Sequence, residues 1–194
     1  MGVLSYINSP FKLFVVVLLG ILGFIGYFVY THQGVMVGAY LKSKELPKLD
    51  ESRFDLAASM LFRETKAETV AIFAVDPILN KRVLVRAYAK DGIRHKILEG
   101  ANVGLFSGSQ ANNADVVKLM AGEIPCGQYL RPQSEAGLWY IHQGVRFTCR
   151  VSVPPDISQF IGQITVGWNE QPENLEQVKF MLEIASAMLT KRGN

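Results

Sequence analysis

Near its end the chain carries His142 and, seven residues on, Cys149, its nearest approach in sequence to a nucleophile beside a base. The alternation of VRFTCRVSV works against that chemistry. It sets Cys149 on the row shared by Val145, Phe147, Val151 and Val153, where a sulfur belongs to a core as a structural cysteine. Ser107 lies in FSGSQ, which lacks the Gly-x-Ser-x-Gly turn that exposes a hydrolase nucleophile. His32, His95 and His142 are scattered, without the i, i+4 pairing that a helical zinc site requires. Glu173, Glu176 and Glu183 fall on the solvated face of a helix whose apolar stripe lies opposite, so they are not an acid/base pair. GANVG and GLFSG lack both the Lys-Ser/Thr and the strand-to-helix context of a phosphate-binding loop. No enzyme activity, metal or cofactor is expected from these patterns.

The elements that hold these residues follow from periodicity. Phe54, Ala57, Ala58 and Leu61 define an amphipathic helix over about 51–65, with Asp50 or Ser52 able to cap it. TVAIFAVD, residues 69–76, is a strand buried on both faces that ends at the Asp76-Pro77 turn. Over 81–89 the alternation puts Val83, Val85 and Ala87 on one face and Leu84, Arg86 and Tyr88 on the other. Residues 100–113 read as a Gly/Ser/Asn loop, followed by a short helix over about 114–121. Leu138–Ile141 and 145–153 are expected as a hairpin turning at His142-Gln143-Gly144, with 160–168 as a third strand. The closing helix has Pro172 in its first turn, a stripe of Leu175, Val178, Leu182, Ala185 and Leu189, and Lys191, Arg192 and Gly193 at its C-terminus. This order gives an α+β domain, an antiparallel sheet of about five strands flanked by helices, similar to the PAS and GAF kind.

Ahead of that domain lies an uncharged run, Leu13 to Thr31, long enough for one transmembrane helix and unlike a cleavable signal in continuing into GYFVYTHQ. The expected organisation is a tail over 1–12, the span and its extension over 13–41, a connector over 42–50 and the α+β domain over 51–194. Gly20, Gly23 and Gly26 are spaced three apart. If the helix continues, Gly34 and Gly38 form a Gly-x-x-x-Gly and fall, with Gly20, Gly23 and Thr31, within roughly an 80° sector, a small face suited to helix–helix packing and a lateral homo-oligomer. The net charge of +3, from 20 basic and 17 acidic residues, argues against a nucleic-acid partner. The two cysteines, Cys126 and Cys149, allow one disulfide if the domain faces an oxidising compartment. Lys12 flanks one side of the span and Lys42, Lys44 and Lys48 the other, so charge alone places the domain in the cytoplasm.

The segment FTCRVSVPPDISQFIGQITVGWNEQPENLEQVKFMLEIASAMLTKRGN resembles the end of the T-even bacteriophage holins: a cysteine-bearing strand, a short connection, a G-x-I-T-x-x-W strand and a closing helix with basic residues. The resemblance implies a cytoplasmic N-terminus, a periplasmic C-terminal domain and assembly in the host inner membrane into lesions that release endolysin at a set time. It also implies an antiholin that binds the periplasmic domain and delays lysis. The bilayer and further copies of the chain are then direct partners, and endolysin only an indirect one. Cys149 takes the place of the family's strand cysteine, and Gly162 and Trp168 those of its last-strand residues. The family's second cysteine is in the closing helix, where this chain has Ala185, so a disulfide here would use Cys126 of EIPCGQ. On this resemblance the orientation is the reverse of the one that charge indicates. The competing reading is a membrane-tethered sensory or ligand-binding module with a PAS/GAF-like domain.

Overall fold

The computed structural model describes residues 10–43, 47–130, 132, 134–156 and 159–191, with the side chains of 35–43 excepted. It divides into two units, the first reaching residue 45 and the second running from 46 to 193. The described residues of the first form one helix, α1 (Pro10–Ser43). Its apolar stretch, Pro10–Gly34, has 25 residues, none of them buried. At about 1.5 Å per residue that stretch exceeds a ~30 Å hydrocarbon core, so among the described residues there is one helix long and apolar enough to cross a membrane.

The second unit runs β1 (Lys48–Leu49), α2 (Phe54–Thr65), β2 (Thr69–Asp76), β3 (Lys81–Ala89), α3 (Gln110–Met120), β4 (Cys126–Gln128), α4 (Glu135–His142), β5 (Phe147–Val153), β6 (Gly162–Trp168), α5 (Leu175–Met188) and β7 (Thr190–Lys191). Five strands pair antiparallel in the order β3-β2-β6-β5-β4, while β1 and β7 form a separate two-stranded ribbon. One face of the sheet presents Val70, Ile72, Val151, Ile164 and Val166 to α2 and α5, which answer with Phe54, Leu61, Leu182 and Ala185. Trp168 joins the layers by donating its indole N–H to the Thr65 carbonyl at the end of α2 (2.9 Å). The opposite face carries Ala71, Phe73, Leu84 and Ala87 beneath Ala136, Trp139 and Tyr140 of α4. A third cluster joins Val75 and Phe160 to Leu105 and to Val116 and Leu119 of α3. Every residue of β6 is buried, as a strand covered on both faces requires.

Several elements differ from the sequence expectation, each for a local reason. Leu138–Ile141 is not a strand. It belongs to α4, whose first turn is capped by Ser134 Oγ accepting from the Gly137 N–H (3.1 Å), and which ends before Gly144 at a φ of 77°. Eight residues show too little of a 3.6-residue period to separate helix from strand. The remaining sheet strand is β4, three residues long and edge-placed. Helix α3 starts earlier than 114, because Ser109 caps it and Asn113 ties back to the Ser107 N–H and carbonyl (both 2.9 Å). A bulge where β3 passes Ile72/Phe73 breaks the alternation of 81–89: Leu84 and Ala87 share one face, while Val85, Arg86 and Tyr88 turn toward the other. Val145 precedes β5 and packs with Phe73 rather than with the Cys149 row. Asn174, not Pro172, begins α5, and beyond Leu189 the chain turns into β7 rather than extending the helix; Arg192 and Gly193 lie outside the described residues. Asp50 caps a 3-10 turn, Glu51–Arg53, which leads into α2.

Gly167 shows how tightly β6 is packed by its neighbours in the sheet. A Cβ there would lie 2.6 Å from Thr69 Oγ1 and 2.7 Å from a Val145 methyl. Gly167→Ala is expected to cost about 1–3 kcal/mol, because Thr69 and Val145 are both buried and packed in place, and a lowered urea midpoint with an unchanged slope checks it.

Candidate functional site

Between the second face of the sheet and the α3/α4 layer lies a cleft of about 760 Å³. Its floor is the row of side chains that alternates with the apolar core row: Arg82 on β3, Gln163 and Thr165 on β6, and Arg150 on β5. Strand register brings them together, since Gln163 lies opposite both Phe73 and Ser152, and Thr165 lies opposite Arg150. Tyr129 follows β4, Tyr140 descends from α4, and Asn112 and Asp115 come from α3.

Arg82 is 8% exposed, and its guanidinium donates to Gln163 Oε1 (3.2 Å) and Asn112 Oδ1 (3.1 Å), both neutral, while its Nε has no partner. The charge also sits 5.8 Å from the centre of the Phe73 ring. Burial, helped by the like charge of Arg150, pulls the Arg82 pKa down to about 10. Gln163 completes the network by donating to Thr165 Oγ1 (2.7 Å). Arg150 is better compensated, donating to Asp115 Oδ2 at 3.0 Å with its side chain 14% exposed. Tyr140 is buried, edge-on to Tyr129 at 5.5 Å between ring centres; its hydroxyl lies near Thr165 and has no hydrogen-bond partner. Burial raises the pKa of both tyrosines. On the other face Tyr88 donates to Asp55 Oδ1, and burial followed by that bond raises its pKa as well.

The residues singled out from sequence lie elsewhere. A Cβ at Gly20, Gly23, Gly26 or Gly34 of α1 meets nothing within 4 Å. Gly38 is in the same helix, but its surroundings lie outside the described residues. Thr31 spends its hydroxyl on the Tyr27 carbonyl one turn back, and His32 Nδ1 does the same toward Phe28 O (3.0 Å). Cys126 and Cys149 sit opposite one another in the β4–β5 register and form a disulfide. His95 packs against Trp139 and not beside His142 or Cys149. Among the described residues no three His, Cys, Asp or Glu side chains gather as a metal site would need. Sequence reasoning missed the cleft, although the polar row Thr148, Arg150 and Ser152 was its available signal. That row alternates with the Cys149 row, and it is covered as well.

A five-stranded antiparallel sheet with helices on both faces, in this order, is the fold of a GAF domain. In particular, the chain is similar to the second GAF domain of DevS from Mycobacterium smegmatis (12% identity, 71% of this chain and 88% of that one, TM-score 0.50). It is also similar to a GAF domain/HD domain protein from Geobacter sulfurreducens (9%, 71% and 90%, 0.51) and to a far-red cyanobacteriochrome photoreceptor (9%, 82% and 94%, 0.52). At these identities the likeness concerns the fold alone. No protein-family model and no curated protein matches the sequence.

The buried tyrosines fix a pH response. Tyr88, Tyr129 and Tyr140 keep their protons in the folded state above their ordinary pKa of 10.0, whereas the unfolded chain loses them there. Their contribution is therefore present below pH 10 and declines as pH rises through the raised values. Arg82 acts oppositely, because its folded pKa is lowered from 12.5, but it is one group against three. Stability is expected to fall from about pH 9 to about pH 11, with part of the tyrosinate absorbance appearing only on unfolding. Urea denaturation across that range, followed at 295 nm, measures both; a stability that rises with pH contradicts the assignment.

Proposed function

We propose that this chain is a holin-type membrane protein: α1 spans the host inner membrane with its N-terminus in the cytoplasm and associates laterally into lesions, while the GAF-type unit lies in the periplasm and regulates timing. The observation that carries the reading is α1 itself, a predominantly apolar stretch of 25 residues none of which is buried, with open Cβ positions at Gly20, Gly23, Gly26 and Gly34. In lipid, close backbone approach at small residues drives helix association. The resemblance of the segment from Phe147 onward to the T-even holins supplies the lysis function. The Cys126–Cys149 disulfide supports the periplasmic side, since such bonds persist in oxidising compartments. In this reading the chain is not an enzyme, and its partners are further copies of itself, the bilayer and an antiholin at the periplasmic unit, endolysin being served only indirectly.

A second reading, a membrane-tethered sensory or ligand-binding module, is favoured by the GAF fold together with the cleft. Here the span anchors, and binding in the cleft is the output-controlling event.

Expression of the full chain in a bacterial host without endolysin separates the two. The holin reading expects membrane potential and respiration to collapse abruptly at a reproducible time. Steady growth with abundant protein in the membrane overturns it and leaves the second. Gly34→Leu combined with Gly20→Leu is expected to delay or abolish the collapse by holding helices apart, with a smaller cross-linked oligomer; unchanged timing and oligomer size refute the packing face.

A C-terminal reporter active only in the periplasm checks orientation. Removing the disulfide with Cys126→Ser is expected to cost about 3 kcal/mol, given a separation of 23 residues, measured by denaturation with and without reductant. A variant as stable as the oxidised parent contradicts a stabilising cross-link.

A further inference from the structure

We propose that the cleft above Arg82 and Arg150 binds a small oxyanion, a carboxylate or phosphate ester carried on a planar apolar body. The inference rests on the cleft being a ligand pocket, the second reading above, and is compatible with a lesion-forming span.

The first argument is charge. Among the described residues lining the cleft the charged groups are Arg82, Arg150 and Asp115, and Asp115 is already paired with Arg150. Arg82 is left with amide partners only, and among the described residues no carboxylate forms an ion pair with it. A guanidinium taken out of water without a counter-charge is costly, and the fold keeps this one charged at neutral pH because its lowered pKa is still about 10. An anion entering the cleft supplies the missing charge where the dielectric is low and the attraction strongest.

The second argument is unused donors. Arg82 and Tyr140 both line the cleft and are more than nine-tenths buried, and within them Arg82 Nε and the Tyr140 hydroxyl, themselves out of contact with water, have no hydrogen-bond partner. Buried donors are normally satisfied, and two orphans beside one uncompensated cation match the acceptor oxygens of a carboxylate or phosphate. The third argument is size and shape. A volume of about 760 Å³ is that of a small-molecule site, and the rings of Phe73, Tyr129 and Tyr140 give its walls flat apolar surface.

The test uses the full chain in detergent with three probes that share one phenyl ring: phenyl phosphate, benzoate and neutral benzyl alcohol, at constant ionic strength set with chloride. The proposal expects saturable thermal stabilisation by phenyl phosphate, benzoate or both, of about 5–10 °C at a hundredfold excess over Kd, and none by benzyl alcohol. Which of the two anions binds more tightly distinguishes a phosphate from a carboxylate ligand. Equal stabilisation by benzyl alcohol keeps a ligand pocket but overturns the oxyanion. No stabilisation by any probe overturns both. Arg82→Gln retains a polar partner for Gln163 and Asn112, and is expected to weaken the anion roughly tenfold or more. If that variant fails to fold, Arg150→Gln carries the same expectation. Affinity equal to the parent in a folded variant overturns the assignment, whereas an arginine with a merely structural role lowers the melting temperature without altering the anion response.

Discussion

A sheet covered on both sides must bury both of its rows of side chains, and in this protein only one of those rows is fully apolar. The row of Val70, Ile72, Val151, Ile164 and Val166 meets α2 and α5 in an ordinary hydrocarbon core, which satisfies the hydrophobic requirement of the domain. The alternate row brings Arg82, Arg150, Gln163 and Thr165 under α3 and α4. Each of those groups loses water on folding and must find replacement partners inside the protein. Much of the second layer follows from that demand: Asn112 is held over Arg82, Asp115 over Arg150, and the serines and asparagines of 107–113 arrange α3 so that both arrive. The demand is met incompletely: on this side of the sheet Arg82 Nε, the Tyr140 hydroxyl and Trp139 Nε1 have no partner.

The two units divide the physical tasks. A helix with no buried residue in its apolar stretch has a free energy set by its solvent, and lipid is the solvent that suits it. The GAF-type unit carries its own core, its own two-stranded closure through β1 and β7, and a covalent cross-link between its edge strand and β5. That cross-link holds β4, only three residues long, to the sheet, and Tyr129 follows directly at the margin of the cleft. The apolar helix and the folded domain are thus two units of one chain, each with its own physical requirement.

Much of the architecture was legible because it rests on period and punctuation. The double-sided burial of 69–76, the apolar row of β5 and β6, and the stripe of α5 appear wherever side-chain alternation or a 3.6-residue period is long enough to read. The misreadings occur where a local rule is overridden or too short. One bulge residue moves Val85 off the face shared by Leu84 and Ala87, and α4, with Ser134 as its cap, looks like a strand because its eight residues hold little more than two turns.

By itself the sequence determined one apolar helix fit for a bilayer, an antiparallel α+β domain after it, and which residues of each element are apolar. Tertiary structure alone decided what covers the polar row. Alternation states that Thr148 and Arg150 lie opposite Cys149; it does not state whether water or another layer lies beyond them. Helices α3 and α4, brought from distant parts of the chain, close over that face and form a cleft with an arginine that no carboxylate pairs among the described residues. The desolvation that gives the cleft its chemistry is a property of packing at long sequence separation, which no local pattern encodes.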